Sequence, residues 1–116
     1  MSLTGKVVLV TGSGTGIGQG IAVEMAKRGA VTALHYNRSE AGVLETKRRI
    51  DEAGGHCLIV QADISKQREI TAMVHQIERQ AGAVDVLVNN AAVQLNYDLF
   101  KHNGETFDLL FDTNVK

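Results

Sequence analysis

The stretch that decides the fold runs from Lys6 to Gly18 and reads Lys-Val-Val-Leu-Val-Thr-Gly-Ser-Gly-Thr-Gly-Ile-Gly. Its first half is a continuous run of Val and Leu, which is typical of a strand buried on both faces. Its second half is rich in glycine, which allows a tight turn and lets backbone N–H groups approach a pyrophosphate. A helix is predicted from about Gly16 to Arg28, ended by Gly29. A strand, a glycine loop and a helix in this order indicate an anion-binding site at the helix N-terminus.

Outward from this stretch, apolar runs alternate with amphipathic segments along the whole chain. The pattern predicts further strands at Val31–Tyr36, His56–Gln61 and Val84–Val88, and helices at about Glu40–Ala53, at about Lys66–Ala81 with Ser65 as N-cap, and from about Glu105 onward. Strands that alternate with helices favour right-handed crossovers and a parallel sheet. We therefore expect residues 1–116 to form one α/β domain, a three-layer, Rossmann-type doubly wound parallel sheet of strand order 3-2-1-4 that is incomplete.

Composition and charge exclude several classes of protein. The 116 residues are 44% hydrophobic and 22% charged, with a formal net charge of −1, so the chain is expected to be globular and to bind neither nucleic acid nor a membrane surface. The chain lacks an apolar run of the ~20 residues that a membrane span needs. Its N-terminus lacks the pattern of a signal peptide, and Cys57 is its single cysteine. These features predict a cytoplasmic protein in which Cys57 is a small apolar residue of a buried strand.

The four histidines share no spacing typical of metal ligands. We interpret them as solvated or structural and expect no metal site. They are His35, His56, His75 and His102.

Three more motifs follow the glycine loop in a fixed order. Asp63-Ile64 follows the third strand, Asn89-Asn90-Ala91-Ala92 follows the fourth, and Asp112-Thr113-Asn114-Val115 lies near the end of the sequence. The glycine loop Thr11–Gly18 departs from G-x-G-x-x-G spacing and has T-G-x-x-x-G-x-G spacing. Together these motifs resemble the short-chain dehydrogenase/reductase family. The alternative is an unrelated flavodoxin-like domain with a glycine turn and capping Asx residues.

The resemblance implies which residues contact a nicotinamide dinucleotide. Asp63 and Ile64 would meet the adenine, and Asn114 would be the asparagine of the family's catalytic tetrad. Ala92 stands where the family usually has glycine, and its methyl group is expected to reduce tolerance in the loop without abolishing binding. The remaining contacts would come from Gly12, Ser13, Thr15, Gly16, Ile17, Gly18, Asn90, Ala91 and Ala92.

The end of the second strand bears on the choice of cofactor. In NAD-binding units an acidic residue about 20 positions beyond the glycine loop bonds the ribose 2′-hydroxyl. Here that place is occupied by Tyr36, Asn37, Arg38 and Ser39, and Glu40 is expected to begin the next helix. A 2′-phosphate would meet no carboxylate and could bind Arg38 with its neighbours. NADP is the expected cofactor, NAD remains possible, and a solvated Arg38 is the alternative.

The resemblance implies hydride transfer between the nicotinamide and a small carbonyl or alcohol substrate. The family's catalytic tyrosine, with a lysine four residues later, comes after the asparagine matched by Asn114. The chain's Tyr97 and Lys101 have this spacing but precede Asn114, so we interpret the spacing as chance. We expect a chain truncated within the helix after strand four, which lacks the catalytic pair and is inactive alone. The alternative function is a non-catalytic module that binds dinucleotide or assembles with other proteins.

An apolar surface near the end of the sequence predicts association. Phe107, Leu110 and Phe111 have no obvious cover, and the fourth strand would form an uncovered edge. The expected state is a homo-oligomer.

Overall fold

The computed structural model describes residues 2–90 and the backbone of a strand further along the chain. Its elements are β1 (Val7–Thr11), α1 (Gly16–Lys27), β2 (Val31–Tyr36), α2 (Ala41–Glu52), β3 (His56–Gln61), α3 (Gln67–Gln80), β4 (Val86–Asn89) and β5 (Asp108–Asp112). Strands and helices alternate as far as β4, as the sequence predicts.

The strands form a five-stranded sheet in the order β3-β2-β1-β4-β5, and each neighbouring pair is parallel. β1 lies at the centre, where Leu9 is opposite Ala33 of β2 and Leu87 of β4. All residues of β1 are buried, which explains its unbroken apolar composition. The predicted doubly wound class and the order 3-2-1-4 are confirmed.

The prediction of a helix from about Glu105 is wrong over Asp108–Asp112, where the backbone forms β5. The expectation that β4 forms an uncovered edge is wrong for the same reason, because β5 pairs with β4. A short apolar run such as Leu109–Phe111 fits a buried strand and a buried helix equally well, so its periodicity does not decide between them. Pairing with the backbone groups at the open side of β4 decides for the strand.

Two predicted boundaries also move. Ser65 is not the N-cap of α3, which begins at Gln67 after Lys66; the Ser65 hydroxyl donates instead to Oδ1 of Asp63 at 2.6 Å. An Asp that bonds the backbone and side chain two residues later forms a local turn that competes with helix capping. β4 begins at Val86 rather than Val84.

Apolar layers cover both faces of the sheet. The α3 side buries Ile70, Met73, Val74 and Ile77 against the strands, and these residues follow the predicted helical spacing. The opposite side buries residues of α1 and α2, with Cys57 of β3 partly buried against them. In the described part of the chain, no helix combines the length and the apolar content needed to cross a bilayer.

The helices cover the faces of the sheet and leave its carboxyl edge to loops. The segments after β1, β2, β3 and β4 therefore meet at one edge, where doubly wound sheets bind their ligands.

Candidate functional site

The glycine loop turns sharply between β1 and α1. Gly12 and Gly16 have φ values of 60° and 50°, in the left-handed region that disfavours side chains. Thr15 is extended and its side chain makes no capping hydrogen bond to α1. The first turn of α1 consequently does not use its N-cap side chain to satisfy its N–H groups, which suits an external anion.

Gly18 lets the first turn of α1 lie directly against the loop and the end of β4. A Cβ at Gly18 would lie less than 3 Å from the Gly12 carbonyl oxygen and from Nδ2 of Asn90. Asn90 donates from Nδ2 to the Gly12 carbonyl at 3.2 Å, and its backbone N–H donates to Oγ1 of Thr11 at 2.9 Å. The residue that follows β4 therefore holds the start of the glycine loop in place.

His35, near the end of β2, joins three segments at the carboxyl edge. Its ring is buried; Nδ1 accepts the Gly12 N–H at 3.0 Å, and Nε2 lies 2.8 Å from the Ala62 carbonyl oxygen. Because a carbonyl only accepts, Nε2 carries the proton and Nδ1 is the bare acceptor, which defines a neutral tautomer. Burial lowers the pKa of His35, and the hydrogen bond to Ala62 opposes this shift.

The hydroxyl and the backbone N–H of Ser13 both form hydrogen bonds with the neighbouring strand β2. Its hydroxyl accepts the His35 N–H at 2.8 Å, and its backbone N–H donates to the His35 carbonyl at 3.1 Å. Ser13 is buried, so it shapes the loop through these bonds. The cofactor contact that the resemblance implies for Ser13 stays a prediction.

Thr46 ties the glycine loop to α2. Its buried hydroxyl lies 2.8 Å from the Ser13 carbonyl oxygen and 3.0 Å from that of Gly42, and it accepts a hydrogen bond from Nε2 of Gln19 at 3.0 Å. A Cβ at Gly42 would lie less than 3 Å from the carbonyl oxygen of Gly14. The loop and the start of α2 are therefore in backbone contact.

The loop after β2 is far more open. Asn37 and Tyr36 are partly exposed, whereas Arg38, Ser39 and Glu40 are exposed. The carbonyl of Asn37 accepts from Nε2 of Gln61 at 2.9 Å, which anchors the start of this loop to β3. Glu40 directly precedes α2, as predicted.

Asp63 lies at the same carboxyl edge of the sheet, in the loop after β3. The pKa of its carboxyl is lowered, chiefly by hydrogen bonds from the hydroxyl and the backbone N–H of Ser65, and to a lesser degree by the positive charges of Lys66 and Arg38. The loops after β2 and β3 begin side by side, because the Ala62 N–H donates to the Tyr36 carbonyl at 3.2 Å and Nε2 of Gln61 donates to the Asn37 carbonyl at 2.9 Å. The Asp63 side chain is 27% exposed.

The remaining predicted residues differ in their accessibility. Ile17 is 62% exposed in the first turn of α1, whereas Ile64 is buried in the core beneath α3. Ala91, Ala92 and Asn114 lie outside the described residues, as do Tyr97 and Lys101. Where the structure describes the chain, no cluster of three or more His, Cys, Asp or Glu could hold a metal ion.

Sequence reasoning missed the roles of His35 and Thr46. The position of His35, near the carboxyl end of the strand that follows α1, was a signal that it lies at the edge of the site. The sequence contains no comparable signal for Thr46, because only the packing of α2 against the loop brings its hydroxyl to Ser13.

The chain belongs to the short chain dehydrogenase family, whose model matches residues 6–116. This confirms the resemblance and removes the flavodoxin-like alternative.

Individual relatives show the same similarity over different lengths. The chain is 45% identical over 93 residues to the short-chain dehydrogenase/reductase homolog YusS of Bacillus subtilis, covering 80% of this chain and 85% of YusS. It is 37% identical over 115 residues to the hydroxynaphthalene reductase-like protein Arp2 of Metarhizium robertsii, covering 99% of this chain but 43% of Arp2.

Solved structures agree with this assignment. The promiscuous reductase LugOII, which catalyses keto-reduction at C1 during lugdunomycin biosynthesis, aligns with a TM-score of 0.72 at 42% identity, covering 80% of this chain and 41% of LugOII. A hydroxysteroid dehydrogenase from Escherichia coli aligns with a TM-score of 0.72 at 32% identity, covering 78% of this chain and 37% of that protein. The chain thus spans less than half the length of these three reductases and dehydrogenases.

Proposed function

We propose that the chain is the dinucleotide-binding part of an NADP-dependent oxidoreductase that acts on a carbonyl or alcohol substrate. The observation that carries this proposal is the carboxyl edge of the sheet, where the glycine loop is present and the exposed Arg38 follows β2 in place of the acid of an NAD site. Arp2 and LugOII are named as reductase-like and reductase, which favours the reductive direction for this chain.

The residues present fit a pyrophosphate. Gly12 and Gly16 adopt backbone conformations that direct the loop around an anion, and Gly18 keeps the first turn of α1 close to the loop. The partial positive charge at the start of α1 favours the phosphates. The nicotinamide supplies the hydride when bound; the loop residues of this chain bind and orient the dinucleotide. The exposed side chain of Ile17 would contact apolar surface of the bound dinucleotide.

The loop after β2 is proposed to discriminate between NADP and NAD. Tyr36, Asn37, Arg38 and Ser39 offer hydrogen-bond donors and a positive charge, and none of them carries a carboxylate. A guanidinium binds phosphate through paired hydrogen bonds and would favour the 2′-phosphate of NADP over a free 2′-hydroxyl. Asp63 and Ile64 remain the residues proposed to lie beside the adenine. The side chain of Asp63 is partly exposed at the carboxyl edge of the sheet, whereas that of Ile64 is buried in the core.

The test is the cofactor preference of an Arg38→Ala variant. Loss of a charge-assisted hydrogen bond is expected to weaken NADP(H) binding by about tenfold, while NAD(H) binding changes by less than about twofold. Titration calorimetry of both cofactors measures the two changes. The matched control is Arg79→Ala, which removes an exposed arginine from the last turn of α3. Equal losses for NADP(H) and NAD(H) would contradict the assignment of Arg38.

A non-catalytic dinucleotide-binding or assembly module is the second candidate. It is favoured by the match to YusS, which covers 85% of that relative. Reading the gene downstream of residue 116 separates the two candidates. A serine followed by a tyrosine with a lysine four residues later would decide for the oxidoreductase, and their absence would decide for the non-catalytic module.

A further inference from the structure

We propose that His35 is a positioning residue for the dinucleotide, whose ring holds the glycine loop and the loop after β3 at a fixed separation. This inference rests on the proposed function. It assigns a role to a histidine that the sequence identifies only as solvated or structural, and it concerns the shape of the site and not a direct contact with the ligand.

The ring spans the two loops across the end of β2. The Gly12 N–H donates to Nδ1 at 3.0 Å, and Nε2 donates to the Ala62 carbonyl at 2.8 Å. Gly12 opens the glycine loop, and Ala62 directly precedes Asp63 at the carboxyl edge of the sheet. One rigid side chain therefore connects the residues that flank the pyrophosphate and adenine parts of the proposed site.

The backbone of His35 reinforces the same connection. Its N–H donates to the Ser13 hydroxyl at 2.8 Å, and its carbonyl accepts the Ser13 N–H at 3.1 Å. Together with the ring, these bonds fix two consecutive residues of the glycine loop against β2. Positioning a loop before the ligand arrives removes part of the ordering cost of binding.

Only the neutral ring can do this. A second proton would occupy Nδ1, which faces the Gly12 N–H, so two donors would oppose each other in a buried place. The Gly12 end of the loop would then have to move away. Protonation of His35 should therefore disfavour the arrangement that binds the dinucleotide.

Charged groups near the ring come from the segments after β3. The carboxylate of Asp63 accepts hydrogen bonds from Ser65, and Glu69 of α3 accepts the Asp63 N–H at 2.8 Å. Strand β1 and the glycine loop carry no titratable side chain from Val7 to Thr15, and the next residue of β2 is Tyr36. The ring's described hydrogen bonds go to backbone groups of Gly12 and Ala62, so neither carboxylate is its direct partner.

The sign of the pH dependence follows from the lowered pKa of His35. Above the ordinary histidine range the ring is neutral in both the folded and the unfolded chain, and its contribution to stability is fully present. As the pH falls below the unfolded value, the unfolded chain takes up the proton first, so stability is lost until the folded pKa is reached. Dinucleotide affinity is lost only below the folded pKa, where the ring of the folded chain itself takes up a proton. A negatively charged pyrophosphate acting on the ring through charge alone would have the opposite effect on affinity.

The experiment measures NADPH binding to the full chain from about pH 8 down to the lowest pH at which the chain stays folded, because the folded pKa of His35 lies below the ordinary histidine value. The variants are His35→Asn, whose Oδ1 takes the place of Nδ1 but cannot be protonated, and His35→Leu, which removes the acceptor. The matched control is His75→Asn on the exposed face of α3. Thermal unfolding of every variant is recorded at each pH.

We expect the parent chain and His75→Asn to lose affinity by about tenfold on acidification, the factor for one hydrogen bond to a buried donor. His35→Asn should bind NADPH with near-parent affinity at high pH and keep only the pH dependence that the 2′-phosphate, with a second pKa of about 6, brings to every variant. His35→Leu should bind about tenfold more weakly at every pH. If both variants lose only thermal stability and the folded protein binds NADPH with the parent pH profile, His35 is not a positioning residue.

A second measurement works even if the variants fold poorly. Nitrogen NMR of the His35 ring in the parent chain gives its protonation midpoint with and without NADPH. Binding and protonation are linked reciprocally, so we expect NADPH to lower this midpoint. A midpoint that rises or stays constant would overturn the inference alone, while absence of NADPH binding at about pH 8, where the ring is neutral, would overturn it together with the proposed function.

Discussion

The loops that follow β1 and β2 leave the same edge of the sheet, but they are built in opposite ways. In the glycine loop, Ser13 is buried and its backbone and hydroxyl groups bond to His35 and Thr46. In the loop after β2, Arg38 and Ser39 are exposed, and the anchoring bond to β3 involves only the carbonyl of Asn37. Under the proposed function, the part of the ligand that all dinucleotides share would meet a fixed backbone, and the part that distinguishes NADP from NAD would meet exposed side chains.

The largest expected effect comes from Gly18→Ala in the fixed loop. The added methyl group would overlap the Gly12 carbonyl and the side chain of Asn90, and backbone must move to admit it. We expect the free energy of unfolding to fall by about 2–3 kcal/mol, as for overpacked cores. Chemical denaturation measures this change.

Gly20→Ala is the matched control in the same helix. A Cβ at Gly20 meets no atom within 4 Å, so alanine should raise stability by up to about 1 kcal/mol through its helix propensity. If Gly18→Ala and Gly20→Ala shifted stability in the same direction, the glycine loop would be less tightly packed than the comparison requires.

An intermediate effect is expected for Thr46→Val. Valine preserves the shape of threonine but leaves the Ser13 carbonyl and Nε2 of Gln19 without this partner. The expected loss is about 1–2 kcal/mol of unfolding free energy, because these groups are partly or fully buried. Thr71→Val is the control, since the hydroxyl of Thr71 donates at 3.1 Å to Gln67 of its own helix. Similar losses of unfolding free energy in both variants would show that the hydrogen bond between α2 and the glycine loop stabilises the fold no more than a bond within one helix.

The smallest change in stability is expected for Ser39→Ala in the open loop. Ser39 is exposed, so the free energy of unfolding should change by less than about 0.5 kcal/mol. NADP(H) affinity should fall about threefold, since the proposed hydrogen bond from the exposed hydroxyl to the 2′-phosphate competes with water and is lost. A stability loss comparable to that of Thr46→Val, measured by the same denaturation, would mean that this loop is as fixed as the first.

Much of the fold follows from local patterns. The unbroken apolar composition of β1 and the helical spacing of Ile70, Met73 and Ile77 predict buried strands and covering helices, and both are found. The segment Asp108–Asp112 was misassigned because a short apolar run carries no period of its own. This segment pairs with the open side of β4, which is distant in sequence, so the pairing can be identified only in the assembled sheet.

The candidate site divides in the same way. The glycine loop and the residues from Tyr36 to Ser39 are predicted from their order relative to strands, because parallel strands bring their carboxyl ends to one edge, and the resemblance to the family adds Asp63. The proposed preference for NADP and the contacts of Ala91, Ala92 and Asn114 stay predictions, as do the cytoplasmic location and the homo-oligomer.

By itself, the sequence determined the class of fold, the family and the edge at which the site lies, because these depend on hydrophobic periodicity and motif order. Only the tertiary structure decided that Ser13 is turned inward, that Thr46 bonds the loop, and that the ring of His35 joins Gly12 to Ala62. These contacts join residues more than 20 positions apart. Hydrogen bonds of this kind depend on distance and direction in space, which local sequence patterns do not encode.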